Sequence, residues 1–322
     1  MASAQTWPGY RLPKRQILTL ALVAVGGYLG LRPWLVGGWQ LPVVGLPMAV
    51  AACAAALLVP LNLGLEAAKW RTALRQTVCW GQAWRAVVLG TAFGLVTPNR
   101  LGDYYGRQLG FDPGRRATLV VATALCRMAQ WVPLVLVAGG FALQLPVVGA
   151  AWGPLPELTA LWAALLIGLA LLAGWALRRW RALEGRAWLR ALRGQLQQGL
   201  RYLRRLPATV WAAVILLSCL RTGVYLAQFG LLLYGTGAAA DAGTALWVAS
   251  AVLVTKSVLP SLTWGELGVR ELLTVSYGVA LGLAEPPLVL ASLLLFTLNL
   301  GLPGLVGALL LPRTARAVAA HA

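Results

Sequence analysis

Two stretches decide the reading of this chain: Thr97-Pro98-Asn99-Arg100-Leu101-Gly102-Asp103-Tyr104-Tyr105-Gly106-Arg107 and Pro260-Ser261-Leu262-Thr263-Trp264-Gly265-Glu266-Leu267-Gly268-Val269-Arg270-Glu271. Each sets acids, arginines, glycines and a proline inside an otherwise oily sequence. Ionisable side chains at bilayer depth are costly, so their default reading is a substrate or ion path.

The surrounding composition makes that depth a bilayer. Of 322 residues, 59% are hydrophobic and 11% charged, where a soluble domain carries roughly 25% charged residues. The fold class is an all-α polytopic integral membrane protein. The net charge is +18, but the positive residues cluster in loops between apolar runs. That distribution follows the positive-inside rule, so the expected partners are anionic headgroups at the cytoplasmic face, with no nucleic acid. Cys53, Cys79, Cys126 and Cys219 are scattered singly, no CxxC occurs, and the single histidine is His321. Neither a metal site nor a cofactor is expected.

Apolar runs lie near 17–37, 43–65, 117–138, 158–177, 208–234 and 286–311. Each has about the 20 residues a crossing needs. The first follows Arg11, Lys14 and Arg15 without a convincing cleavage site and reads as an uncleaved span. Arginines crowd 178–206, whose Trp180, Leu183, Trp188, Leu192, Leu196 and Leu203 give a basic amphipathic segment on the cytoplasmic surface. Basic residues put the N- and C-termini, 66–85 and 112–116 on that same side. Hence 86–111 enters and leaves from the cytoplasm. Halved at Pro98, it has arms of about 12 residues, roughly 18 Å of helix and too short to cross, so it reads as a re-entrant hairpin. By the same parity 243–283 enters and leaves from outside, as a broken hairpin or two tilted spans. About six full spans plus two broken hairpins, an eight-span equivalent, form a single domain over 1–322 and fit an inverted repeat.

Within the first motif, Pro98 breaks the chain and Asn99 can cap the helix that restarts. Arg100, Asp103 and Arg107 then share one helical face. One carboxylate between two guanidiniums leaves positive charge beside a helix start, which favours phosphate or another anion; the alternative is a self-satisfied salt bridge. Gly90, Gly94, Gly102, Gly106 and Gly110 recur at multiples of four. They allow close helix packing or leave a groove for an acyl chain. In the second motif, Glu266 and Arg270 are i, i+4 neighbours, Glu271 follows, and Gly265 and Gly268 permit positive φ. Lys256 in the preceding arm can approach. Such a set can relay a proton, bind a headgroup, or brace a broken helix. Arg127 and Arg221 sit near the centres of their spans and should face the interior. Glu66, Lys69, Trp70 and Arg71 fall at the end of an apolar run and read as interfacial anchors. Gly26-x-x-x-Gly30 and Gly301-x-x-Gly304-x-x-Gly307 suit close contacts within the chain or between copies.

Pro98-Asn99-Arg100-Leu101-Gly102-Asp103 with Arg107, Pro260 through Gly265-Glu266-Leu267-Gly268-Val269-Arg270-Glu271, and Leu61-Asn62 through Lys69-Trp70-Arg71 together resemble the flippase-like transmembrane region of lysylphosphatidylglycerol synthases. That family usually has glutamate where Asp103 stands, so this carboxylate reaches one methylene less. The resemblance implies a lipid moved between leaflets of a bacterial or archaeal cytoplasmic (inner) membrane. The residue reading and the resemblance together give Arg100, Asp103, Arg107, Arg127, Arg221, Lys256, Glu266, Arg270 and Glu271 as candidate headgroup-binding residues, with Pro98, Gly102, Gly106, Pro260, Gly265 and Gly268 as break or close-approach points. The expected substrate is a phosphate-containing membrane lipid: a modified phospholipid, a glycolipid or a polyprenyl-phosphate-linked sugar. No catalytic residue is assigned. An intramembrane lipid-modifying transferase, or a scaffold for a synthase or glycosyltransferase partner, are the rival readings.

Overall fold

The computed structural model describes residues 45–97, 100–148, 194, 197–199, 201–258 and 266–320. The expected spans at 17–37 and 158–177, most of the amphipathic segment 178–206, and Pro98, Pro260 and Gly265 lie outside these residues. Every regular element among the described residues is helical.

Four helical stretches are long and apolar enough to cross a bilayer: Leu46–Ala73, Arg116–Gly140, Ala208–Gly235 and Glu285–Leu311. They coincide with the four remaining predicted spans, and the chain is a multi-pass membrane protein. Helices α1 (Leu46–Ala73) and α6 (Ala208–Gly235) have 28 residues each, about 42 Å at 1.5 Å per residue. They run antiparallel along most of that length. Gly235 lies against Ala51, the Gln228 amide donates to the Ala55 carbonyl at 2.9 Å, and Arg221 reaches Asn62.

Prolines interrupt the other two spans where the sequence places them. Pro133 cannot donate to the carbonyl of residue 129, so α4 (Arg116–Ala129) ends at Gln130 and α5 (Trp131–Val148) follows. Pro303 likewise leaves the Asn299 carbonyl without its i+4 donor. There, a π-helical turn, Thr297–Gly301, separates α9 (Glu285–Phe296) from α10 (Leu302–Ala320). Both interruptions fall in mid-span, and both aim a polar side chain inward.

The interrupted stretches fold back on themselves. Between α2 (Trp80–Leu95) and the five-residue α3 (Gly102–Gly106), Gly106 packs on Leu89 and Gly90, and Gly102 packs on Phe93. These pairings are antiparallel and close, so the glycine series serves packing between the hairpin arms. Thr97 makes the corner: its hydroxyl donates to the Phe93 carbonyl at 2.9 Å and accepts from the Gly102 amide at 2.6 Å. Asn99, the expected cap, lies outside the described residues. On the other side of α2, Gly304 and Gly307 of α10 sit against Leu95, Ala92 and Val88. The Gly301/Gly304/Gly307 series therefore makes contacts within the chain. In the second hairpin, α7 (Ala242–Val258) meets α8 (Glu266–Ala280) through Trp247 against Tyr277 and a 2.6 Å bond between Thr255 and Tyr277. Asp241 caps α7; donation from the Thr244 amide and hydroxyl holds its carboxyl below the usual aspartate range.

Two apolar cores result. One gathers Phe229, Leu233, Val248, Leu288 and Leu295 from α6, α7 and α9, with Ala55 of α1. The other gathers Trp70, Val87, Leu119, Leu125 and Val214 from α1, α2, α4 and α6. Along α1, the polar residues Asn62 and Glu66 fall between the two.

A methyl group added at Gly106 would stand 2.6 Å from the Leu89 carbonyl oxygen and 2.8 Å from Gly90 Cα. Backbone cannot yield as a flexible side chain does, so Gly106→Ala should cost about 1–3 kcal/mol. Gly139→Ala meets nothing within 4 Å and should be neutral or gain up to about 1 kcal/mol. Thermal unfolding in detergent, read by intrinsic tryptophan fluorescence, checks the opposite signs.

Candidate functional site

The polar belt is an ionic network drawn from four helices. On α1, Asn62, Glu66 and Lys69 follow at i, i+4 and i+7, one face of the helix. Glu66 Oε2 holds Lys69 Nζ at 2.8 Å and faces Arg221 Nε at 3.4 Å, while Glu66 Oε1 accepts from Arg107 Nη2 at 2.8 Å. Arg107 turns its other edge to Asp103, with Nε to Oδ1 at 2.8 Å and Nη2 to Oδ2 at 3.2 Å. Arg127 Nη2 then joins Asp103 Oδ2 at 3.0 Å and the Arg100 carbonyl at 3.1 Å. Glu66, Lys69, Asp103 and Arg107 are all buried, at 8%, 1%, 3% and 5% exposure.

Neutral polar groups extend the belt. Gln130 accepts from Lys69 at 3.3 Å and donates to Thr222 at 2.5 Å. Arg221 Nε donates to Asn62 Oδ1 at 2.9 Å, and the Asn62 amide donates to Gln228 at 3.2 Å and Asn299 at 3.0 Å. Asn299 lies on the π-helical turn and Gln130 at the α4–α5 break, so each interruption supplies one member.

Among the described residues, Lys69, Arg107, Arg127 and Arg221 are four cations against the two carboxylates of Glu66 and Asp103, leaving two positive charges in surplus. Within the network, Arg107 Nη1 and Arg127 Nε are buried without a hydrogen-bond partner, and so is Glu66 Oε2, which faces Lys69 and Arg221 as an ion pair. A buried guanidinium normally satisfies its donors, since each orphan costs about 1–3 kcal/mol. The arrangement therefore has both the charge and the donors to receive an anion.

Arg100 departs from expectation. It precedes the short helix and adopts φ of 53°, a left-handed conformation that costs of order 1–3 kcal/mol. Arg100, Asp103 and Arg107 thus do not share one continuous helical face; the backbone of Arg100, through its carbonyl, serves Arg127, while its side chain approaches Gly94. The tyrosines mostly pack: Arg127 lies 5.1 Å over Tyr104, Tyr105 meets Phe93, and Tyr225 meets Phe229.

In the described contacts, the second motif forms a network on α8 and α9. Arg270 Nη2 pairs with Glu271 Oε1 at 2.8 Å, Arg270 Nε donates to Ser292 at 2.9 Å, and Ser292 donates to Glu271 Oε1 at 2.9 Å. Gly268, at φ of 106°, donates its amide to Glu271 Oε2 at 2.6 Å. The Arg270 guanidinium also stacks 5.5 Å over Phe296. Lys256 lies in the last turn of α7, and Glu266 begins α8; the Glu266 side chain lies outside the described residues. The observed bonds of Glu271 stay on α8 and α9, whereas those of Asp103 run to Arg107 and Arg127.

Sequence reasoning grouped Asp103, Arg107, Arg127 and Arg221 with Lys256, Glu266, Arg270 and Glu271; the described contacts join the first four, while those of Arg270 and Glu271 stay on α8 and α9. It misplaced Glu66 and Lys69, whose anchoring role at the membrane boundary is corrected by their burial and their bonds to Arg107 and Gln130. Asn62 it quoted only within a family motif, and Gln130, Thr222, Gln228 and Asn299 it missed. The available signal was the i, i+4, i+7 series on α1, together with polar residues at proline-induced breaks.

Fold and site define a polytopic helical membrane protein with ionised groups inside its bundle. Residues 17–307 match the family described as the lysylphosphatidylglycerol synthase transmembrane region, and the chain belongs to that family, which carries a membrane lipid-related function. No curated protein matches the chain, and no solved structure does.

Removing one member of a buried ion network strands its partners. Glu66→Gln leaves Lys69, Arg107 and Arg221 without their shared carboxylate and should destabilise by about 3–5 kcal/mol. Arg221→Gln should cost less, because that side chain is 30% exposed and its loss lowers the surplus charge. Urea or thermal unfolding of both variants in one detergent gives the order.

Proposed function

We propose that the chain is a lipid flippase-like transporter that receives a phosphate-containing headgroup at the Glu66–Asp103 network. The observation that carries this reading is the surplus of two positive charges beside unpartnered guanidinium N–H groups of Arg107 and Arg127. Phosphate suits such a site because a guanidinium matches it with paired, charge-assisted hydrogen bonds. Family membership supports a lipid as the carrier of that phosphate.

In this reading Arg107 and Arg127 grip the headgroup, and Arg221 and Lys69 add field. Glu66 and Asp103 hold the cations in place when the site is empty, lowering the cost of keeping them in the bilayer. Gln130, Thr222, Asn62 and Gln228 offer neutral donors and acceptors for sugar or amino groups beyond the phosphate. Acyl or prenyl tails stay in the hydrocarbon. The Arg270–Glu271–Ser292 network braces α8 on α9 and shapes the opposite wall. Modified phospholipids, glycolipids and polyprenyl-phosphate-linked sugars all meet these terms.

Reconstitution in liposomes with a fluorescent phosphate-bearing lipid tests the proposal by accessibility to a membrane-impermeant quencher. Arg127→Gln, whose side chain is 35% exposed, should fold and slow flipping by at least about tenfold, the equivalent of one charge-assisted hydrogen bond. Equal rates for wild type and variant, or a new covalent lipid product by mass spectrometry, would count against it.

A further inference from the structure

The two arginines that keep open donors are both tied to Asp103. Arg107 uses Nε and Nη2 on Asp103 and Glu66, and Arg127 uses Nη2 on Asp103 and the Arg100 carbonyl. Arg107 Nη1 and Arg127 Nε remain, and both atoms are buried. An anion can therefore meet these donors without displacing the carboxylate, and the charge of the network is unchanged when it arrives. The other carboxylates of the described residues are engaged or placed elsewhere. Glu271 bonds to Arg270, Ser292 and the Gly268 amide, and Asp241 bonds to Thr244. Asp112 accepts from the Gly114 amide at 2.7 Å, and Glu285 is exposed at the start of α9. Among the described residues no third carboxylate joins the four cations. Arg100 adds positive charge on the same side: a Cβ built on Gly94 would stand 3.4 Å from Arg100 Nε and 3.8 Å from Asp103 Cβ. The surplus among the described residues is thus at least two.

We propose that the headgroup received here carries two negative charges on its phosphoryl oxygens, as a terminal phosphate or a diphosphate bridge does, and not the single charge of an ordinary phosphodiester. This narrows the substrate class of the transport reading and rests on that reading. A phosphate monoester carries about −1.5 to −2 at pH 7. Bound beside a surplus of two, a monoanion leaves a cation uncompensated in a medium where unpaired charge is costly. A dianion removes that imbalance, and its Coulomb attraction to the surplus is twice as large at equal distance. Stripping water from a dianion also costs more. What offsets that cost is the fixed setting of the donors: Asp103 and Glu66 hold the guanidiniums in place before the ligand enters, so little reorganisation accompanies binding. Arg221 contributes field through Glu66, 3.4 Å away, while making no contact with Asp103 in the network. Its charge therefore sets headgroup preference separately from the donors that touch the phosphoryl group.

Calorimetric titration of the full-length chain in nonionic detergent at pH 8 tests it. Three soluble probes share a dihexanoylglycerol tail and differ in the head: a terminal phosphate, a phosphoglucose diester and a diphosphoglucose. Inorganic phosphate is the fourth. At least one of the two dianionic lipids should bind about tenfold or more tighter than the phosphoglucose diester, the ratio that 1.4 kcal/mol produces; which of them does so names the source of the charge. Arg221→Gln, which lowers the surplus by one, should shrink that ratio at least about threefold. Arg127→Lys keeps the charge but removes the Nε donor, so it should weaken all three lipids and leave the ratio standing. Equal affinity for the dianionic and diester lipids in the wild type overturns the proposal while leaving a phosphate-binding transporter intact. An unchanged ratio in Arg221→Gln overturns it as well. Inorganic phosphate binding as tightly as the terminal-phosphate lipid overturns the lipid as its carrier. Binding of none of the lipids overturns both this proposal and the transport reading on which it rests.

Discussion

The structure turns on one carboxylate. Glu66 gathers Lys69 from its own helix, Arg107 from the far arm of the first hairpin and Arg221 from the middle of α6. An isolated charge in hydrocarbon is too costly to persist, so each cation is tolerable only because its neighbours share the site. Removing the acid would leave three cations facing one another. Burial of this kind contributes little net stability compared with an apolar core, and its value lies in fixing which groups meet. Here it ties a short, five-residue helix to two membrane-length helices.

Close backbone contact makes that tie geometrically feasible. Gly102 and Gly106 let the return arm lie against the carbonyls of Phe93 and Leu89, and Gly90 leaves room for the Asp103 carboxylate beside α2. Any larger residue at Gly90 would occupy the space of the Asp103 side chain. The glycines and the ions are thus one construction: packing brings the arginines to depth, and the carboxylates hold them there. On its other face α2 repeats the device with Gly304 and Gly307, which couples α10 to the hairpin. The prolines act in parallel, since Pro133 and Pro303 open the helices at Gln130 and Asn299 and turn both side chains into the belt.

Much of this was legible in the residues themselves. Hydropathy located all four described spans, and Arg127 and Arg221 at their centres announced an interior role because arginine cannot snorkel from there. Pro98 and the glycine period announced the hairpin. Glu66 was lost because a hydropathy run ends at its first charge: the run stops at 65, whereas α1 continues to Ala73, and the acid lies inside the helix. The partners of the second motif were hidden for a different reason. Sequence gives which charges lie at depth but not which neighbour each one chooses, and Arg270 finds Glu271 and Ser292 on α8 and α9. Hydrogen bonds across 166 and 237 residues, such as those from Asn62 to Gln228 and Asn299, have no local signature at all.

The two networks differ in the property that matters for function. In the described contacts of the second motif, Arg270 pairs with Glu271. The network around Glu66 and Asp103 carries more positive charge than its acids neutralise and keeps guanidinium donors unspent. In the proposed reading, an anion carried on a membrane lipid meets that imbalance. The direct measurement is an electron cryomicroscopy map of the full chain in phospholipid nanodiscs. The account predicts tetrahedral phosphate density within hydrogen-bonding distance of Arg107 Nη1 and Arg127 Nε. Apolar side chains filling that space, with both guanidiniums satisfied by the protein alone, would contradict it.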